Sequence, residues 1–310
     1  MADFTSFNQH NDTYIANMNR KELPVLPPGS YKLDFNQQTG DLYFKKFQPN
    51  YDSIIDLPSP EYDHVMKEVN TFLNSETKHL FEDYGFLYKR SFLLWGTHGT
   101  GKTMLVNRVG QKVVEKNGVI IFNPNPKLLQ MAFKVLDDVQ PNLTTMVIFE
   151  EFEQILQRHE DDMLSLLDGE IQKNNVMYLA TTNHFDKIPA RLKRPGRFAT
   201  ILEVKYPNAE ARTAYLNRKL KAADAREIPS WVEATDGLSI DELKETVQSV
   251  KCLGNKLDDS VARIKETKKV ASEAEEDPYE DDPFAIDYGS EVALKLLESR
   301  YTPGKRDSRR

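Results

Sequence analysis

From Ser91 onward, short and wholly apolar runs alternate with longer segments whose apolar residues recur every three or four positions. Phe92-Leu-Leu-Trp95, Val119-Ile-Ile-Phe122, Met146-Val-Ile-Phe149, Val176 to Ala180 and Ile201 to Val204 have the length and composition of strands buried on both faces. Between them lie helical patterns. One carries Leu105, Val109 and Val113 on a single stripe, and a second opens at Pro126 and runs to about Val139. A third contains Leu164, Leu166 and Leu167 and stops at Gly169. Strands alternating with helices predict an α/β fold, a parallel sheet flanked by helices.

Either side of this block the pattern changes. Residues 1 to about 28 are polar and close on Pro24, Pro27 and Pro28, which reads as an arm with little structure of its own. Tyr31 to Phe35 and Leu42 to Phe44 flank Thr39-Gly40, a β-hairpin signal. Pro58 and Pro60 mark a boundary, and Glu61 to Leu80 has helical spacing through Val65, Val69, Phe72 and Leu73. After Pro207 strand signals cease, and Glu210 to Leu220, Ser239 to about Val250 and Asp258 to Val270 read as a small all-α unit. Ala271 to Pro283 is an acidic run that cannot bury a core; Glu291 to Ser299 reads as a short helix before a basic tail. The expected division is residues 1–55, 56–207, 208–270 and 271–310.

The turn after the first apolar run carries the chemistry. Gly96, Thr97, His98, Gly99, Thr100, Gly101, Lys102 and Thr103 fit G-x-x-x-x-G-K-[ST] between a strand and a helix. Glycines let such a loop curl so that backbone N–H groups point at phosphate oxygens, and the helix N-terminus behind it favours anions. Lys102 adds a point charge for phosphate and the Thr103 hydroxyl can ligate Mg²⁺. The run ending in Glu150-Glu151 places two acids where a parallel sheet binds its ligands.

Composition narrows the partners. The 310 residues allow one to three domains, and a net charge of −7 argues against nucleic acid as the main ligand. The single cysteine, Cys252, permits no intrachain disulfide, no apolar run approaches the roughly 20 residues of a membrane span, and the first residues lack a signal-peptide pattern. The expectation is a cytoplasmic protein.

Residues 56 to about 250 resemble the AAA clade of the AAA+ ATPases. GTHGTGKT stands as its Walker A motif, VIFEEFEQI as Walker B, LSLLDGE as the segment that follows, and LATTN as sensor 1. RPGRF resembles the arginine-finger segment, YPNAEARTAYLNRKL the junction to a helical lid, and TDGLSIDELKETV the lid's sensor 2 region. The resemblance implies ATP and Mg²⁺ as ligands, with Thr103 and Glu150 on the metal, Glu151 as the base and Asn183 orienting water. Arg194 and Arg197 would act on the neighbouring subunit of a homo-oligomeric ring of six or seven, and the substrate would be a protein. The lead-in from Val69 to Thr103 is most similar to the branch containing the mitochondrial Bcs-type translocase, whose transmembrane N-terminus has no counterpart here.

Three departures stand out. Walker B has Glu-Glu in place of Asp-Glu, Asn123 to Lys127 is too short for the aromatic pore loop of threading unfoldases, and the lid has Ile240-Asp241 in place of Gly-Ala. His98 reads as a spacer, Asp161-Asp162 after His159 as a solvated turn, and Arg191, Lys193, Arg194 and Arg197 as a subunit interface. Beside an ATP-driven remodeller, two rivals remain: an ATP-dependent assembly scaffold with slow turnover, and a DNA-directed accessory protein.

Overall fold

A computed structural model describes residues 6–10, 12–17, 23–36, 38–48, 55–168 and 173–274. Its centre is a parallel sheet of β5 (Lys89–Trp95), β6 (Val119–Phe122), β7 (Thr145–Phe149), β8 (Val176–Thr182) and β9 (Thr200–Glu203), in the order β6-β7-β8-β5-β9. Side chains alternate across it with the period of two that strands impose. Phe92, Leu94, Ile120, Met146, Ile148, Met177 and Leu179 pack on one face with Val65 and Val69 of α1 (Pro60–Phe72) and Leu105, Val106 and Val109 of α3 (Lys102–Glu115). Leu93, Val119, Ile121, Val147, Phe149, Tyr178 and Ala180 pack on the other, against α4 (Pro126–Val139) and α5 (Phe152–Asp168). Two covered faces explain why these strands have no polar alternation.

The sheet is wider than the sequence pattern predicts. β1 (Ser6–His10), β2 (Thr13–Asn17), β3 (Gly29–Asn36) and β4 (Asp41–Phe47) extend it to nine strands, in the order β1-β2-β4-β3-β6. The hairpin of β3 and β4 is therefore part of the main sheet, since β3 pairs in parallel with β6 through Gly29–Val119, Ser30–Ile120 and Tyr31–Ile121. The expected arm contains two antiparallel strands, held by Phe7 and Tyr14, whose rings meet Phe44 and Tyr31 edge to face. Two buried aromatics in a mostly polar stretch of twelve residues are too few to leave a period in the sequence.

Other differences are local. The expected helix over residues 61–80 is two helices, α1 and α2 (Ser75–Asp83), because Asn74 turns its side chain onto the Glu76 N–H and starts a new helix there. Asp161 and Asp162 lie inside α5, which kinks at His159 (φ −134°), so they form no separate turn. Beyond β9 come α6 (Ala209–Lys219), α7 (Ile228–Ala234), α8 (Ile240–Val247) and α9 (Leu257–Ala274). Of these, α7 carries no sequence expectation. Its Pro229 occupies the first turn, where proline is tolerated. Tyr215, Leu238, Ile240, Leu243, Val261 and Ile264 form a separate core that also takes in Ile55 and, from α3, Met104. The helical unit thus packs directly on the helix that follows the glycine-rich loop. The acidic run after residue 274, the expected helix from Glu291 to Ser299 and the basic tail lie outside the described residues, as does Gly169. Among the described residues no helix is long and apolar enough to cross a membrane.

Candidate functional site

The site is built at the C-terminal edge of the parallel strands, where the loop after β5, the acids after β7 and the residue after β8 come together. β8 lies between β5 and β7, and Thr182 pairs with Trp95 while Phe149 pairs with Ala180. Asn183, one residue beyond Thr182, therefore stands between the loop and Glu150.

The loop's curl depends on two glycines. Gly96 has φ +153°, and a Cβ on it would lie 2.4 Å from the Val204 carbonyl oxygen; Gly99 has φ +72°. Any side chain at 96 would drive the loop off β9. Thr100 ties the turn by donating from Oγ1 to the Thr97 carbonyl (3.1 Å). Lys102 is buried and donates from Nζ to the carbonyls of Gly96 (2.8 Å) and Thr97 (2.7 Å). Desolvation pulls its pKa down to about 8, and the nearby carboxylates of Glu153 and Asp241 pull the other way. Thr97, His98 and Thr103 are exposed, and the His98 ring lies 6.2 Å from that of His184.

Glu150 and Glu151 diverge. The carboxylate of Glu150 lies beside the Thr103 side chain, and its Oε1 is closed off from solvent with no partner among the described residues. Burial raises its pKa, the Thr103 hydroxyl opposes the shift, and the charge of Glu151 adds to it. Glu151 is exposed in the left-handed region (φ 52°), and its Oε2 accepts from Gln154 Nε2 at 2.8 Å. Two adjacent acids thus have different environments, one closed and aimed at Thr103, the other open to solvent.

An orphaned buried carboxylate oxygen beside a hydroxyl is a donor set that suits a hard cation such as Mg²⁺. Among the described residues no group of three or more His, Cys, Asp or Glu side chains could hold a metal by itself. Mg²⁺ takes one or two protein oxygens and completes its shell with phosphates and water. Thr103 and Glu150 are the residues that would hold it.

The arginines part company as well. Arg197 is fixed within its own chain: Nε and Nη2 reach Asp168 Oδ1 and Oδ2 at 2.5 and 2.7 Å, and Nη1 donates to the Arg191 carbonyl. The pair raises the arginine's pKa and lowers that of Asp168. Arg191 binds Glu160 (2.6 Å) and Asp161 (3.1 Å), and Lys193 sits 4.0 Å over the Phe185 ring. Arg194 is exposed and enters no ion pair among the described residues. Two of the four cations of the basic cluster, Arg191 and Arg197, are thus paired with acids of their own chain. His159 meets Asn125 and Asp162 at 3.2 Å each, which uses both ring nitrogens.

Three residues of the site carried no expected role in it. Asn123 (φ 42°) accepts the Glu150 N–H on Oδ1 at 2.7 Å. Glu153 is buried with Oε2 unpartnered among the described residues. Asp241 of α8 reaches the loop at Gly99, where a Cβ would lie 2.9 Å from its Oδ2. A short polar residue after a strand and an acid two positions after Glu151 were the signals for the first two.

Residues 92–206 match the family model described as "ATPase family associated with various cellular activities (AAA)". Over this stretch the chain is similar to AAA ATPases, which are ATP-binding hydrolases of the P-loop kind. The chain is 25% identical over 196 residues to the cell division cycle protein 48 homolog of Archaeoglobus fulgidus, covering 56% of this chain and 26% of that protein. It is 25% identical over 223 residues to proteasome-activating nucleotidase 2 of Haloferax volcanii (60% of this chain, 52% of that one). With the proteasome-activating nucleotidase of Aeropyrum pernix it shares 28% over 198 residues (54% and 47%). The chain thus spans about a quarter to a half of the length of these relatives.

Proposed function

We propose that this protein binds and hydrolyses Mg-ATP at the subunit interfaces of a homo-oligomeric ring and uses the energy to remodel a protein or protein assembly in the cytoplasm. The observation that carries the reading is the meeting of Thr103 with Glu150 beside a buried Lys102, at the edge where the parallel strands end. Backbone N–H groups of residues 96–103 and the Lys102 ammonium would hold the phosphates, with Thr103 and Glu150 on Mg²⁺. Glu151 is open to solvent and adjacent to that point, as a base that accepts a proton from attacking water must be. Asn183 would orient the water.

Ring assembly is supported by Arg194, an exposed guanidinium with no ion pair among the described residues, which suits a group waiting for a phosphate supplied from another chain. Six or seven subunits follow from the resemblance of RPGRF and the lid. A protein substrate is favoured by relatives whose names refer to proteasome activation and by a net charge of −7, which disfavours nucleic acid. The Bcs-type lead-in and the division into residues 56–207 and 208–270 belong to the same proposal.

The test is steady-state ATPase against protein concentration for the wild type and Glu151→Gln. The wild type should gain specific activity as it assembles, and the variant should bind ATP, assemble and fail to turn over. Turnover that is independent of assembly would remove the shared site. A fully active Glu151→Gln would remove the base.

A further inference from the structure

The glycine-rich loop is faced by the first turn of α8, and that turn is acidic. The Ile240 N–H donates to the Gly99 carbonyl at 2.8 Å, and a Cβ on Gly99 would lie 2.8 Å from Ser239 Oγ and 2.9 Å from Asp241 Oδ2. The turn is anchored on both sides. Ser239 caps α8 and trades hydrogen bonds with Glu242, and buried Ile240 packs among Ile55, Leu238, Leu243 and Met104. The backbone of Asp241 is therefore held against the loop, and its exposed side chain projects there. Its neighbour Glu242 is spent on the Ser239 N–H and Lys268, whereas Asp241 enters no ion pair among the described residues. Its charge reaches the Lys102 ammonium, raising that group's pKa against desolvation.

A helix N-terminus abutting a phosphate loop would ordinarily add to the attraction for anions. Here a carboxylate on an anchored backbone opposes it at the loop's crest. The cost falls unequally on the ligands that could enter. A free nucleoside triphosphate brings its full negative charge against Asp241, while its magnesium complex brings about half as much. We propose that Asp241 is a specificity residue for the charge state of the nucleotide, discriminating against Mg²⁺-free nucleotide and lowering affinity overall so that the site exchanges. This rests on the reading of residues 96–103 as the phosphate site.

The experiment is a set of dissociation constants by titration calorimetry, for ATP with excess Mg²⁺ and for ATP with EDTA, at low and high ionic strength. The full chain is compared with Asp241→Asn, Asp241→Ala and Asp259→Asn, the last an exposed acid on α9 that controls for net charge. Both Asp241 variants should bind Mg²⁺-free ATP about threefold to tenfold more tightly at low salt and gain less with Mg²⁺. The preference for the magnesium complex then shrinks, and the difference fades as salt screens it. An unchanged preference overturns the proposal, as does an equal weakening with and without Mg²⁺, which would mark a structural role at the α8 terminus. An effect of the same size in Asp259→Asn would show bulk charge and also overturn it. A wild type that binds ATP under neither condition refutes the phosphate site itself, a separate outcome.

Discussion

Asn123 Oδ1 accepts the backbone N–H of Glu150 at 2.7 Å, and so ties the turn after β6 to the acid that ends β7. The Asn123 N–H in turn donates to the Ile148 carbonyl (2.8 Å), so both ends of the asparagine are fixed on the same strand. Asn123 and Glu151 both occupy the left-handed region, at φ 42° and 52°. Asparagine tolerates that region and glutamate does so at some cost, of order 1–3 kcal/mol. The bond from Asn123 helps keep the Glu150-Glu151 peptide in this unusual course, which sends one acid inward and the other out.

Replacing Asn123 separates its two contributions. Asn123→Ala loses the acceptor and strains the backbone, whereas Asn123→Gly loses the acceptor alone. A hydrogen bond of this kind has a net worth of about 1 kcal/mol. Both variants should therefore lower ATP turnover by up to about tenfold with little change in ATP affinity, and both should melt lower, Ala by more than Gly. Full turnover in Asn123→Gly would show that the bond does not position Glu150.

Arg194 and Arg197 should fail in different ways. Arg197 is held by Asp168 and its carbonyl accepts from Ser91 Oγ (2.6 Å), so it braces the turn before β9 against β5. Arg194 braces nothing among the described residues. Arg194→Ala should reduce turnover by about 10³-fold or more, as loss of an arginine finger does, while leaving subunit stability and nucleotide binding intact. Arg197→Ala should also lower the melting temperature of the isolated subunit, and Asp168→Ala should do the same. If Arg194→Ala keeps near-normal turnover, the trans role passes elsewhere. A mixture of Arg194→Ala with Lys102→Ala subunits should regain activity, since one retains the loop and the other the arginine.

Much of this was readable in advance, for physical reasons. The inner parallel strands are buried on both faces, so each carries an uninterrupted apolar run that composition alone reveals, and the edge strand β9 keeps Ile201 and Leu202. α4 begins and ends where expected because Pro126 starts it under an Asn125 cap and Pro141 follows it. The loop is a fixed spacing of glycines, lysine and threonine. What escaped were relations between distant residues. Asp241 lies 142 residues after Gly99 in number yet against it in space, and only the packing of Ile240 and Met104 brings them together. β1 and β2 escaped because their burial rests on Phe7 and Tyr14, and Asn123 because a polar residue in a turn carries no signal of what it holds.

Nucleotide affinity should depend on pH through Lys102. In the free protein burial sets its pKa at about 8. Phosphate oxygens stabilise the ammonium and must raise that value in the complex. Below about pH 8 the lysine is protonated in both states and adds no pH dependence. Above it, binding has to take up a proton, so affinity falls as pH rises, approaching tenfold per unit. Lys102→Arg stays charged throughout and should give a flat profile, whatever its absolute affinity. Calorimetric titrations from pH 7 to 9, repeated in buffers of different ionisation enthalpy, would detect the proton. A wild-type profile as flat as that of the arginine variant would rule out Lys102 as the titrating group.

Glu150 is the point at which this site departs most from the pattern it resembles, and its surroundings decide what the departure should do. Its backbone is pinned by Asn123, so the chain cannot slide to compensate for a change in side-chain length. Its carboxylate reaches the Thr103 side chain and leaves Oε1 buried and free of partners among the described residues. Shortening it to aspartate withdraws the carboxylate by one C–C bond, about 1.5 Å. Mg²⁺ holds its ligands at about 2.0–2.1 Å in near-octahedral geometry, so a gap of that size cannot be spanned by a longer bond. A water can fill it, because a carboxylate that acts on the metal through its water shell keeps its charge in place. Glu150→Asp should therefore lower turnover by less than about tenfold, or about 1.4 kcal/mol in barrier, and weaken the Mg²⁺ dependence of ATP binding only slightly. Glu150→Ala removes the charge and should lose both. The competing account treats the glutamate as a brake that prolongs the ATP-bound ring. It requires Glu150→Asp to accelerate a slow wild type and to shorten the lifetime of the assembled state. Single-turnover hydrolysis of the two proteins, with assembly followed in parallel, separates the accounts. A marked acceleration would sink the present one, because a carboxylate fitted to Thr103 and held by Asn123 has nothing to gain from being shortened.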